Sequence, residues 1–383
     1  MTDLDEILLF ETSPYGNVDA IVQHDGRTVY FYLNGRTIDV NENQTTSTTS
    51  HNTFGMRAVW VRNLQEAPYV ICEEDLRAGL APMLPRTHMK PHGCGILPVA
   101  DALRVVWFEE GNGAALVETR DDGSARTLAV IPPWSGLDGF HGYADQCAAE
   151  SQICWPMPDH PQLQLRIDQA AEFWNSFSRS PDPFATLQSQ TLRAYQDYVS
   201  RFAIAAADNT IAPSEPNLEP NYYAIDGRTF PPRGLVHFTG RDQHLLATVA
   251  MSLCPQPNVE LSVEDPRRYR RIELALQLNQ NAEDESLENA LRGLSSLAAY
   301  PWKYFQWLGP GHTVPFRDVW PDCEHALLAR DADLFPDRTW QLPEVRNDPV
   351  HLLWVLPLDQ QAYNDLTAQR LTSAELIQRK RST

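Results

Sequence analysis

Histidines, cysteines and paired carboxylates carry most catalytic and metal chemistry, and this chain offers them in only a few places. In His88-Met89-Lys90-Pro91-His92-Gly93-Cys94, two imidazoles stand four residues apart with a thiol beside them. That spacing would put both rings on one face of a helix, but Pro91 and Gly93 oppose the helix and a closed zinc site needs a fourth ligand. The segment is expected to be a solvated loop that holds no metal. Cys147 and Cys154 are seven residues apart, too loose for a redox pair, and no basic residue between them would lower a thiol pKa. They are expected to be reduced core thiols, as are the scattered Cys72, Cys94, Cys254 and Cys323. The adjacent carboxylates Glu109-Glu110 and Asp121-Asp122 flank turns, where neighbouring strand side chains point to opposite faces. No lysine follows a glycine, and neither GxGxxG nor GxSxG occurs, so nucleotide-loop and nucleophile-elbow chemistry lose their usual support. Arg267, Arg268, Arg270 and Arg271 form a charged segment that reads as a surface turn able to meet an acidic group.

Two loops remain as candidates. In Pro301 to Phe316, PWKYFQWLGPGHTVPF, aromatic rings crowd a Gly-Pro-Gly turn; Trp307, Gly309, Gly311, His312 and Phe316 are its candidate partner-binding residues. In Pro132 to Tyr143, glycines at every third residue are interleaved with rings, and Trp134, Phe140, His141 and Tyr143 are the corresponding candidates. His141 and His312 are ordinary for structural histidines beside turns. They also define the alternative reading, a small-ligand-binding protein or enzyme with a pocket in one of these loops.

The elements that must position these loops can be read from periodicity. Val18-to-Gln23 and Thr28-to-Leu33 form a hairpin across Asp25-Gly26. Met56 to Leu64 is a strand, and Ala102 to Ile131 holds three more, together an antiparallel meander. Asp39 to Asn52 is a polar loop and Pro82 to Pro98 is irregular. A helix begins at Pro161 and buries Leu163, Ile167, Ala170, Trp174 and Phe177. A second, about Phe184 to Ala206, presents Leu192, Tyr195, Val199 and Phe202. The proline-rich 209–221 stretch reads as a linker, giving domains at 1–208 and 222–383 with the second helix in the first. Beyond it come strands at Gly234-to-Thr239, His244-to-Leu253, Asn258-to-Val263 and a half-buried Arg270-to-Leu278. A helix over Ser286 to Tyr300, strands at His325-to-Arg330 and His351-to-Pro357, and one final helix from Asp359 to Arg379 complete the pattern. The fold class is α+β: a β-rich leading lobe with helices, then an α+β domain with a mixed or antiparallel sheet.

At 383 residues the chain has room for two cores. A formal charge of −19 disfavours nucleic acid and favours a basic partner. Only three of the 31 basic residues are lysines. No stretch suits a membrane span, and the acidic N-terminal segment lacks the marks of a signal peptide, so a cytoplasmic protein without cofactor is expected.

Three segments carry a resemblance. Arg271-Ile272-Glu273-Leu274-Ala275-Leu276, the Pro301-to-Phe316 stretch, and His351-Leu352-Leu353-Trp354-Val355-Leu356-Pro357-Leu358, in that order and spacing, resemble the suppressor of fused domain family from about Tyr222 onward. The resemblance implies a non-enzymatic binding protein; the animal member clamps an extended peptide of Gli transcription factors between two lobes. Bacterial relatives look like stand-alone versions, and some are thought to be immunity proteins that neutralise a toxin. Here the additional lobe precedes the matching domain, a departure from that arrangement. The expectation is a protein-binding module holding a basic partner by a strand edge or a groove between lobes.

Overall fold

A computed structural model describes residues 6–36, 54–158, 161–179, 182–205, 221–224, 234–239, 243–279, 281–336 and 341–381. They fall into two compact units, one of Met1–Ser178 with Glu260–Ser262 and Lys303–Phe305, the other of Arg179–Val259, Val263–Trp302 and Gln306–Thr383. The polar loop expected at 39–52 and all but Asn221 of the linker expected at 209–221 lie outside the described residues, and Asn221 opens a strand.

The first unit holds two sheets where the sequence suggests one meander. Strands β1 (Glu6–Thr12), β2 (Val18–His24), β3 (Thr28–Gly35) and β4 (Met56–Asn63) form one antiparallel sheet in that order. The β2–β3 turn is held by Asp25, whose carboxylate accepts from the Arg27 and Thr28 amides at 2.8 and 2.9 Å, while Gly26 takes φ 79°. Strands β5 (Leu103–Trp107), β6 (Ala114–Thr119), β7 (Ala125–Ile131), β8 (Tyr143–Ala144) and β9 (Trp155–Pro156) form the second sheet. Both faces of β6 are needed, because Ala114 and Leu116 pack into the core shared with β2–β4 while Ala115 and Val117 face a second cluster. That second cluster is closed by helix α2 (Pro161–Arg179), which follows the five-residue α1 (Glu73–Arg77) and buries Leu163, Ile167 and Ala170 at helical spacing.

In the rest of the chain, α3 (Asp182–Ala205) leads into β10 (Asn221–Ala224), β11 (Gly234–Thr239), β12 (Gln243–Val249) and β13 (Ile272–Asn279). After α4 (Asp284–Tyr304) come β14 (Thr313–Trp320), β15 (Cys323–Arg330), α5 (Asp331–Leu334), β16 (His351–Leu358), α6 (Gln360–Thr367) and α7 (Ser373–Arg381). The seven strands order as β10-β11-β12-β13-β16-β15-β14, with β13 parallel to β16 and the other neighbours antiparallel. The expected α+β class with a mixed sheet is the one observed.

Several elements differ from their sequence reading, each for a physical reason. Helix α3 falls in the second unit, because Tyr195 donates its hydroxyl to the Thr248 carbonyl at 3.1 Å and Tyr198 meets the Trp354 ring at 6.2 Å. Its buried face runs through Leu187, Thr191, Tyr195 and Tyr198, with Leu192 and Val199 at the margin. Asn258–Val263 is a 3-10 turn over Val259–Leu261, since Asn258 takes φ 60° and ends any extended run. The last helix is two: Asp359 caps α6 by accepting from the Ala362 amide at 2.7 Å, and Gln369 at φ 55° breaks the chain before α7. Strand β13 is buried on both faces through Leu276, as befits the centre of a sheet.

Candidate functional site

The stretch after α4 is a turn held by hydrogen bonds to its own backbone and to His312. The helix runs through Pro301 to Tyr304 and ends at Phe305, which takes φ 52°. Gln256, almost fully buried, then receives the chain: its carboxamide accepts from the Leu308 amide at 2.8 Å and donates to the Leu308 carbonyl at 3.0 Å. The Trp307 ring lies against His312 at 4.5 Å and edge-on to Tyr269 at 5.5 Å. A Cβ on Gly309 would intrude on the Trp307 ring, so glycine is required there. Gly311, at φ 87°, donates to the Leu328 carbonyl at 2.7 Å, and its own carbonyl accepts from Ser373 at 3.1 Å. His312 Nδ1 accepts from the Gly309 amide at 3.2 Å, and burial lowers the pKa of its ring. Phe316 is core: it is 2% exposed and fills the space over Gly293.

The loop of the first unit divides in the same way. Phe140 is buried against Tyr143 at 4.8 Å and Trp155 at 5.1 Å, so it anchors the loop and offers no surface. Ser135 donates to the His141 carbonyl at 2.6 Å, closing the turn, and the His141 side chain is exposed. Trp134 lies under the Arg166 guanidinium at 5.2 Å. Arg166 joins Glu110 at 2.6 Å and Glu260 at 3.0 Å; burial alone would lower its pKa, but the two carboxylates outweigh burial and raise it. The rings of Trp134 and Trp307 are half-buried and serve their own loops.

Acid–base or nucleophilic chemistry finds no constellation here. No carboxylate, hydroxyl or thiol among the described residues hydrogen-bonds the ring of His141 or His312. Among the described residues no three metal-ligating side chains come together, which includes His88, His92 and Cys94. The thiols of Cys147 and Cys154, by contrast, do meet, because the parallel β8–β9 pairing folds the chain back on itself. A hydrogen bond from Cys154 lowers Cys147, while burial raises Cys154, and both are fully buried.

The polar centre of the second unit was not legible as such. Arg271, expected at a surface turn, is 2% exposed and donates to Asp348 at 3.2 Å and to the Ser252 and Leu253 carbonyls at 3.0 and 2.6 Å. Arg267 and Arg270 approach the same carboxylate at 3.3 and 3.7 Å. Glu273, expected on a solvated strand face, has no exposed surface; it accepts from Thr248 at 2.6 Å and from the Ser252 amide and hydroxyl at 3.0 and 2.7 Å. Burial pushes its carboxyl up to about 7 despite these donors. The available signal was the position of both residues inside an otherwise apolar run.

Surface that could receive a partner lies on the first sheet. A bulge at Leu8 shifts the β1–β2 register, so that Ile7 opposes Gln23 and Phe10 opposes Ile21. Ile7 and Phe10 therefore share the outer face although they are three residues apart, and they are 53% and 59% exposed. β1 is an edge of its sheet. Of the two edge strands in the sheet of the other unit, β10 and β14, the second is blunted by Pro315 and by Asp318 at φ 61°.

Residues 229–381, under half of the chain, match the family model described as Suppressor of fused protein (SUFU). No curated protein and no solved structure matches the chain.

Proposed function

We propose that the chain, whose residues 229–381 are a suppressor-of-fused-like domain, is a non-enzymatic module that holds a basic protein partner. The family is one of binding proteins, and a formal charge of −19 speeds encounter with a cationic surface. The observation that carries the choice of surface is the outward pairing of Ile7 and Phe10 on an edge strand. An extended segment of the partner adds to β1, main-chain hydrogen bonds supply affinity, and the two apolar side chains anchor it. Neutralisation of a toxin is the sharpest form of this reading, supported by the bacterial relatives that the sequence resembles.

The test is affinity capture of the tagged chain from its native cells at low and moderate salt, beside a Phe10→Glu variant. One near-stoichiometric basic protein that the variant fails to retain is the expected result, and toxicity of that protein when freed would establish the immunity role. Empty captures at both salts overturn the proposal.

A further inference from the structure

The second unit contains a solvent-open cavity of about 730 Å³ that the protein-binding reading does not use. Its walls come from α3, from the β15–α5 junction, and from the segment leading into β16. Such a volume suits a small organic ligand. The apolar lining includes Tyr198, Leu342 and Val350.

Arg330 is the positive charge of this wall. Its guanidinium lies over the Tyr269 ring at 5.5 Å, and its Nε is shielded from solvent with no acceptor among the described residues. The neighbouring carboxylate is already engaged, since Asp331 accepts from the Trp354 indole at 2.7 Å. Arg166, Arg270 and Arg271 all have carboxylate partners, whereas none among the described residues pairs with Arg330. His351, also lining the cavity, has a buried Nε2 without a partner among the described residues. Burial, Arg330 and Arg268 push its ring down to about 4, so at neutral pH it is uncharged and adds no second cation. Asp197, Asp331 and Glu344 also line the cavity, so a simple anion would be repelled by the wall as a whole.

We infer that this cavity binds a dipeptide-sized zwitterion, its carboxylate on Arg330, its ammonium beside Asp197 and Glu344, and its apolar part against Tyr198, Leu342 and Val350. An unpaired, partly desolvated guanidinium is suited to a carboxylate, which it meets in a planar fork. The mixed sign of the other groups selects a ligand that carries both charges.

Calorimetric titration of the full chain with leucyl-phenylalanine, glycyl-leucine and alanyl-alanine tests this. At least one dipeptide is expected to bind saturably below about 1 mM, and its C-terminal amide and N-acetyl forms at least about tenfold more weakly, as loss of a charged hydrogen bond requires. Arg330→Met should weaken the parent dipeptide by a similar factor while leaving the amide form unchanged. Circular dichroism and the unchanged amide titration separate loss of the site from loss of fold. Failure of all three dipeptides to bind the wild type, or equal affinity for acid and amide, would overturn the assignment. Because β1 takes no part, the result is independent of partner capture.

Discussion

Two buried carboxylates in the second unit, Asp348 and Glu273, show opposite ways of keeping an acid away from water. Asp348 is met by three guanidinium groups, one of them almost wholly buried. Glu273 is met by neutral donors, the hydroxyls of Thr248 and Ser252 and the backbone amides of Ser252 and Met251. The first arrangement depends on charge staying in place, since the buried Arg271 would be costly to leave unpaired. The second is stable only while the carboxyl is free to take up a proton, and it loses stability where the pH demands ionisation.

The largest expected effect comes from removing the charge from the first arrangement. Asp348→Ala strands the buried Arg271 and should cost about 3–5 kcal/mol in chemical denaturation of the second unit. A loss below about 1 kcal/mol would mean that the arginines find other acceptors.

Glu273→Gln probes the opposite case. Its folded-state pKa is raised from 4.5 to about 7, so its contribution is fully present below pH 4.5 and is lost as pH rises through 7. At 1.36 kcal/mol per pKa unit, wild-type stability should fall by on the order of 3 kcal/mol from this group between pH 4.5 and pH 8. The glutamine variant should lack that component of the slope because a carboxamide does not titrate, and Thr248 can accommodate it by turning its hydroxyl to the Leu274 carbonyl, 3.4 Å away, and accepting from the new amide. Parallel pH profiles for the two proteins would refute the assignment.

Gly309→Ala drives a methyl into the Trp307 ring, and overpacking of that kind should cost about 1–3 kcal/mol in thermal or denaturant unfolding. If stability is unchanged, the Trp307–His312 contact is not a fixed part of the turn. At the bottom of the scale, Glu288→Ala removes an exposed pair with Arg292 at 3.9 Å and should move stability by less than about 0.5 kcal/mol.

Periodicity made the fold legible wherever one face of an element met water. The β2–β3 hairpin, β4, β5 to β7 and α2 stand close to where alternation and helical spacing put them. It misled where an element is buried all round. In β13 the residues alternating with Ile272 and Leu274 suggested a wet face, yet tertiary contacts supply Glu273 with its partners from Thr248 and Ser252. Asp348 lies 77 residues from Arg271, and no local pattern could pair them. Of the candidate site residues, Phe140 and Phe316 were legible as large rings, but ring type alone does not say which rings will be core. Ile7 and Phe10 escaped notice because the bulge at Leu8, which aligns them, leaves no mark in a period-two reading.

The parallel pairing of β13 with β16 also governs the order in which the sheet can be completed during synthesis. β13 emerges from the ribosome long before its neighbour: Ile272 pairs with His351, and the Arg271–Asp348 clasp closes across a separation of 77 residues. Until β16 arrives, an apolar strand rich in leucine and isoleucine presents an unpaired edge in a nascent chain. During the interval between these two strands that edge is open to pairing with the wrong strand.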